Sequence, residues 1–207
     1  MAEYRTVSGI ASDEFTEKKS RFIGQIAPAS TEEQALAFLA EVKSRYRDAS
    51  HHVFAYILRE NQIRRASDDG EPQGTGGVPV LNVLDGSGLS DVCCVVTRYF
   101  GGTLLGVGGL ARAYTEGARL AVSAAKIKVM AESVDLSLHT DYSLYGKLEH
   151  YFGEHGVFVL STAFGADVSV TVRLRKEGVP AFEHDMTELS GGTVLPETVA
   201  KGWNEMK

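Results

Sequence analysis

The chain has 207 residues, 43% hydrophobic and 23% charged, an ordinary globular composition whose length predicts two compact domains. Its formal net charge of −6 argues against a simple nucleic-acid coat. The polar, acidic N-terminus lacks the apolar stretch of a signal peptide, and no run approaches the ~20 apolar residues of a membrane helix, so a soluble cytoplasmic protein is expected.

Strand character appears at residues 4–8 and 20–27. Between 28 and 48 the period changes. Ser30-Thr31-Glu32-Glu33 reads as a capping box, and Ala35, Leu36, Leu39, Val42 and Tyr46 recur at helical spacing. HHVFAYIL (51–58) is β-rich and largely apolar, as a central strand would be. SDDGEPQGTGG (67–77) carries the turn formers of a loop, and 78–84 predicts a short helix with Pro79 in its first turn. DVCCVVTRYF (91–100) is the strongest strand, buried on both faces. Its cysteines, Cys93 and Cys94, are the only two in the chain. Being adjacent, they point to opposite faces and make neither a disulfide framework nor a metal site. Alanine-rich 110–125 should be helical, with Leu110, Ala113, Gly117, Leu120 and Ala124 as a small-residue stripe for close packing on a sheet.

The last third differs in charge. Up to Ala131 there are 15 Lys+Arg and 15 Asp+Glu, whereas from Glu132 onward there are 6 and 12. That shift places a domain boundary near Met130. Beyond it, 134–139 alternates as a strand, 141–154 reads as a helix, and 157–164 and 168–174 read as strands around the turn Gly165-Ala166-Asp167. A helix at 180–189 closed by Gly191 and Gly192, then a strand within 193–203, completes βαββαβ, the order of a ferredoxin-like domain.

RYFGGTLLGVGGLARAY (98–114) has five glycines between Arg98 and Arg112. Gly101 and Gly106 have the Walker A glycine spacing, but Val107 and Gly108 stand where that loop needs Lys and Ser/Thr. A Rossmann fingerprint does not fit either. Two readings remain for Gly101, Gly102, Gly106, Gly108 and Gly109: backbone amides that hold an anion at a helix start, or close packing of helix on strand. In the acidic loop, Asp68, Asp69 and Glu71 could bind a hard cation or serve as paired carboxylates, but no ligand set completes a metal site. The alternatives are a turn at Asp69-Gly70, Thr75 capping the next helix, and an ion pair of Asp69 or Glu71 with Arg98 or Arg112. His51 and His52 open a strand and face opposite sides; Ser67 and Thr75 offer hydroxyls without a nucleophile elbow or zinc helix. Basic clusters at Lys18-Lys19-Ser20-Arg21, Arg45/Arg47 and Arg64-Arg65, with Phe22, Tyr46 and Tyr99, could face RNA, although no RNA-binding signature is present.

Together, SDDGEPQGTGGVPVL and VVTRYFGGTLLGVGGLARAY closely resemble the IMPACT family and its YigZ-like bacterial members, over essentially the whole chain. The resemblance implies an α+β protein. Residues 1–130 would have the fold of ribosomal protein S5 domain 2, and 131–207 would be a ferredoxin-like domain of elongation factor G type. It carries over a functional surface of His52, Ser67, Asp69, Glu71, Thr75, Arg98, Tyr99, Arg112 and Tyr114. Gly76 stands where the family usually has alanine, and Leu104 where a lysine is common, which removes a cation beside any bound phosphate. The family's eukaryotic relatives are linked to control of translation initiation.

The leading expectation is a non-enzymatic, translation-linked protein that binds RNA, the ribosome or a translation factor. A rival is a phosphate- or nucleotide-binding enzyme in which Gly106 to Gly109 hold phosphate, Arg98 or Arg112 stabilises it, and Asp69 or Glu71 binds metal or acts as base. A third is a protein-interaction module docking through the acidic C-terminal domain. No cofactor is named by any of them.

Overall fold

Residues 92–98 are all buried, as the valine-rich run requires, and β6 (Val92–Tyr99) lies at the centre of a five-stranded sheet. The structure, a computed structural model, describes residues 3–206. The strand order is β2-β3-β6-β4-β5, with β2 (Ala11–Glu17), β3 (Ser20–Pro28), β4 (His51–Leu58) and β5 (Ile63–Ser67), every pair antiparallel. β1 (Glu3–Val7) belongs to a second sheet.

Both faces of the central sheet are covered. α1 (Glu32–Arg45) sets Phe38, Leu39 and Val42 against Tyr56, Cys93 and Val95. α2 (Gly77–Gly86) and α3 (Val107–Ala124) set Val80, Leu84 and Tyr114 against Phe22, Val53, Cys94 and Val96. Cys93 and Cys94 thus fall into different cores, as the period-two geometry of a strand dictates. Each fully buried side chain of this size contributes about 1.5–3 kcal/mol. α3 approaches closely because Gly24 and Gly117 face each other: a Cβ on Gly24 would lie 1.9 Å from the Gly117 carbonyl oxygen.

Three local expectations need correction. The cap of α1 sits one residue later than read: Thr31 accepts from the Gln34 amide, and the Gln34 side chain accepts from the Ser30 amide at 2.8 Å. The buried face of α3 runs through Tyr114, Ala118 and Ala121 beside Leu110, Ala113 and Gly117, whereas Ala124 is exposed and Leu120 only half-buried. Bulky Tyr114 fills the space that a purely small-residue stripe would leave. β2 and β5 carry no strand signal in the sequence, because ASDEFTE and IRRAS are polar edge strands with no buried residue to mark a period.

The remaining elements are β7 (Ile127–Thr140), α4 (Tyr142–Glu154), β8 (Phe158–Phe164), β9 (Val168–Arg175), α5 (Val179–Ser190) and β10 (Glu197–Glu205). Their sheet has the order β1-β7-β9-β8, with β10 also paired to β7. Asp141 caps α4 by accepting from the Leu144 amide at 2.8 Å, and α5 ends at Gly191 with φ +60°. Leu136, Leu138, Leu148, Phe152, Val170, Phe182 and Met186 form a core of their own. The chain divides into two compact units, one of residues 4–129 and the other from Met130 onward together with Glu3. Among the described residues no helix is long and apolar enough to cross a membrane.

Candidate recognition site

The register of the central sheet builds the site. Arg98 on β6 lies opposite Phe22 on β3 and opposite His51 on β4, so these three side chains form a row on the face covered by α2 and α3. Segment 67–77 crosses the end of this row. Glu71 Oε1 accepts from Arg98 Nη1 at 2.7 Å and from the Tyr114 hydroxyl at 2.6 Å, with His51 Nε2 at 3.9 Å. The Glu71 and Arg98 side chains are only 4% and 6% exposed. Two charges so removed from water are tolerable only as partners, and deleting either leaves the other stranded. Phe22 and Phe100 bracket the guanidinium at 5.5 and 5.4 Å, and Ser20 takes Arg98 Nη2 at 3.4 Å. Arg98 Nε is buried without a hydrogen-bond partner among the described residues. Burial, and then the Glu71 carboxylate, push the Tyr114 hydroxyl far above its ordinary pKa, so it remains a donor.

The loop itself is held by its two aspartates. Asp68 accepts from the amides of Gly74, Gly76 and Gly77 at 2.8, 2.9 and 2.8 Å. Burial works to raise its pKa, but the three backbone bonds outweigh it and hold the carboxyl below its ordinary value. Asp68 therefore serves the start of α2. Thr75 does not cap that helix, contrary to expectation: its hydroxyl donates to the Pro72 carbonyl at 2.6 Å, and the N-cap is Gly76. Asp69 Oδ1 takes Lys43 at 2.9 Å, while Oδ2 accepts from the His52 amide at 2.7 Å. Ser67 Oγ accepts from the Asp69 amide at 3.2 Å.

Beside this cluster lies a cleft of about 380 Å³ walled by His51, Glu71, Pro72 and Arg98 on one side and by residues 104–107 with Phe100 and Leu110 on the other. Its lip is apolar and open to water: Phe100 is 48% exposed, Leu104 84% and Val107 67%. α3 begins at this cleft from Gly106, whose φ of +72° suits glycine, and no side chain caps its first turn. Among the described residues no three His, Cys, Asp or Glu side chains gather as a metal site.

The Impact N-terminal domain model matches residues 18–122, more than half of the chain, and the model named Domain of unknown function (DUF1949) matches 138–193. The chain belongs to the IMPACT family. It is 38% identical over 192 residues to IMPACT family member YvyE of Bacillus subtilis, covering 91% of this chain and 88% of that protein. It is 34% identical over 180 residues to IMPACT family member YigZ of Escherichia coli, covering 86% and 88%. A crystal structure of a hypothetical protein superposes with a TM-score of 0.64 at 30% identity, over 97% of this chain and 98% of that one.

The IMPACT motif residues do not all converge. Glu71, Arg98 and Tyr114 form one buried cluster, and Ser67, Asp69 and Thr75 hold the loop. His52 faces the other side of the sheet, where it is buried and its Nδ1 meets Thr97 Oγ1 at 3.0 Å; burial pulls its pKa below the ordinary value. Its neighbour His51 is the histidine at the cleft. Tyr99 donates to Asp48 at 2.9 Å, away from the cluster. Arg112 lines a separate groove of about 700 Å³ with Phe15, Lys18 and Arg119, and forms no pair with Asp69 or Glu71.

Of the glycines, Gly101 is a packing position, since a Cβ there would lie 2.0 Å from the Lys19 carbonyl carbon. Gly106 and the helix start beyond it border the cleft and Gly109 borders the Arg112 groove, while a Cβ on Gly102 would point into open space and one on Gly108 would meet the tip of Arg112 at 3.6 Å. Each basic cluster has one of its cations paired with a carboxylate: Arg21 with Glu14, Arg45 with Glu41 and Arg64 with Asp85. Phe22 is fully buried and unable to stack on a base. Phe100 and Leu105 lie inside the family motif and Ser20 inside a basic cluster, whereas Lys43 gives no local signal in the sequence, because only the closure of the loop brings Asp69 to it.

Proposed function

We propose that this chain works by binding, as a cytoplasmic, translation-linked regulator that engages RNA, the ribosome or a translation factor through the face built from segments 67–77 and 98–112. One observation carries the preference for binding over catalysis. The best-placed acid, Glu71, is buried and occupied by Arg98 and Tyr114, while the lip that meets solvent consists of Phe100, Leu104 and Val107. An apolar rim over a polar floor whose one carboxylate is already ion-paired suits recognition, and it fits a protein partner better than a phosphate backbone. The translational setting rests on the family resemblance. The sheet order β10-β7-β9-β8 supports a ferredoxin-like second domain, and the matches at 18–122 and 138–193 support a division into domains 1–130 and 131–207. The five-stranded sheet with its helices supports the S5 domain 2-like reading of the first.

The test is co-sedimentation with ribosomes at low salt, combined with crosslinking to RNA and to translation factors. Retention that is lost in Leu104→Asp supports the reading; absence of every crosslink and of co-sedimentation removes it.

A second reading, an anion- or phosphate-binding enzyme, is favoured by the uncapped start of α3 at the cleft. A thermal-shift screen over nucleotides and sugar phosphates, with and without Mg²⁺, tests it. Stabilisation by one ligand that disappears when Val107 is replaced by proline, which removes a first-turn amide, favours this reading.

A further inference from the structure

β8 is an outer strand: β9 hydrogen-bonds to one side of it, and no described strand pairs with the other. Such an edge presents unpaired N–H and C=O groups, which proteins normally protect with lysine, proline or a very short strand. This edge is FVLSTAF, seven residues without charge or proline. Phe158, Val159, Leu160 and Phe164 are 42%, 41%, 38% and 63% exposed. A register shift between Val159 and Ser161 re-aims its side chains, and consecutive residues Phe158 and Val159 both line a groove of about 350 Å³ against α4. Tyr145, Glu149 and Gly153 form the helical wall. A helix on one side and an unpaired edge on the other is the arrangement in which an extended segment joins a sheet.

Charge selects the occupant. α4 and α5 carry Glu149, Glu154, Glu183, Asp185 and Glu188 against Lys147 as their one Lys or Arg. Glu149 is the charged side chain in the groove. Pairing β8 with itself in a second copy would bring two such acidic helix layers to the same side of one sheet, where like charges repel. A basic segment meets the opposite field.

We propose that β8 is a strand-addition site for an extended, apolar protein segment bearing Lys or Arg. Main-chain hydrogen bonds to β8 supply affinity, Phe158 and Val159 receive apolar side chains, and the acidic helices select positive charge.

The test uses the full chain and a fluorescein-labelled octapeptide of alternating valine and lysine, with a valine–glutamate octapeptide as control. Fluorescence anisotropy should show saturable binding of the lysine peptide and roughly tenfold weaker binding of the glutamate peptide. Glu149→Lys and Val159→Lys, both at solvent-accessible positions, should each weaken binding about threefold or more while leaving the circular dichroism spectrum unchanged. Hydrogen exchange should slow at the β8 amides on addition of the lysine peptide and stay unchanged at β2. Equal binding of both peptides, no binding at millimolar peptide, or unprotected β8 amides would each overturn the proposal. So would a dimer in sedimentation equilibrium that Val159→Lys dissociates.

Discussion

Tyr114 and Arg98 meet at one atom: both donate to Glu71 Oε1, at 2.6 and 2.7 Å, inside the protein. A shared acceptor makes the three residues a unit that ties loop, strand and helix together. Arg98→Ala should lower stability by about 3–5 kcal/mol, because it leaves the Glu71 carboxylate buried without its counter-charge. Tyr114→Phe should cost about 1–3 kcal/mol. The double variant should fall short of the sum by on the order of 0.5–3 kcal/mol, a coupling that urea unfolding curves measure directly. Strict additivity would show that the two donors act independently.

The glycine-rich segment separates packing from exposure. Gly101→Ala drives a Cβ into the Lys19 backbone, which has no flexible end to yield, so a loss of about 1–3 kcal/mol or more is expected. Gly108→Ala in the first turn of α3 meets only the tip of Arg112 at 3.6 Å. It should be neutral or stabilising by up to about 1 kcal/mol, since alanine suits a helix better. Thermal melts of the two variants compare them; equal destabilisation would contradict the assignment of Gly101 to packing.

His52 predicts a pH dependence. Its folded pKa lies below the unfolded value of about 6.5, so the folded state binds the proton less readily. Its contribution to stability is complete above that unfolded value and is lost as pH falls through the depressed folded pKa. Stability measured from pH 7.5 down to pH 5 should therefore decline more steeply in the native protein than in His52→Gln. Parallel profiles for the two would count against this role.

Asp68 gives a prediction confined to the loop. Asp68→Asn keeps one acceptor but turns an amide toward a backbone N–H, so about 1–3 kcal/mol should be lost, with faster hydrogen exchange at Gly74, Gly76 and Gly77. Unchanged exchange at those amides would show that the loop is ordered by other contacts.

Much of this architecture was legible in the sequence. The period of residues 92–98, the opposed cysteines and the βαββαβ element order of the last third all follow from side-chain alternation and turn chemistry. The sequence offers an ion pair between the acidic loop and Arg98 as one alternative, and Glu71 makes it. What local pattern could not supply is register. His51 rather than His52 reaches the cleft because strand parity and the crossing of loop 67–77 decide it together. Arg112 resembles Arg98 in its glycine-rich setting, yet its position on α3 turns it into another groove. Lys43 finds Asp69 from a helix 26 residues away, a separation no spacing rule reaches.

Leu104 carries the central claim, because it stands 84% exposed at the lip of the cleft and anchors nothing in the core. The most direct test is ribosome co-sedimentation with crosslinking, comparing the native chain with Leu104→Asp at low salt. The proposed function predicts that the native chain is retained or crosslinked, and that Leu104→Asp is released with an unchanged unfolding midpoint. A native chain that stays in the supernatant, with neither RNA nor a translation factor crosslinked, would contradict it.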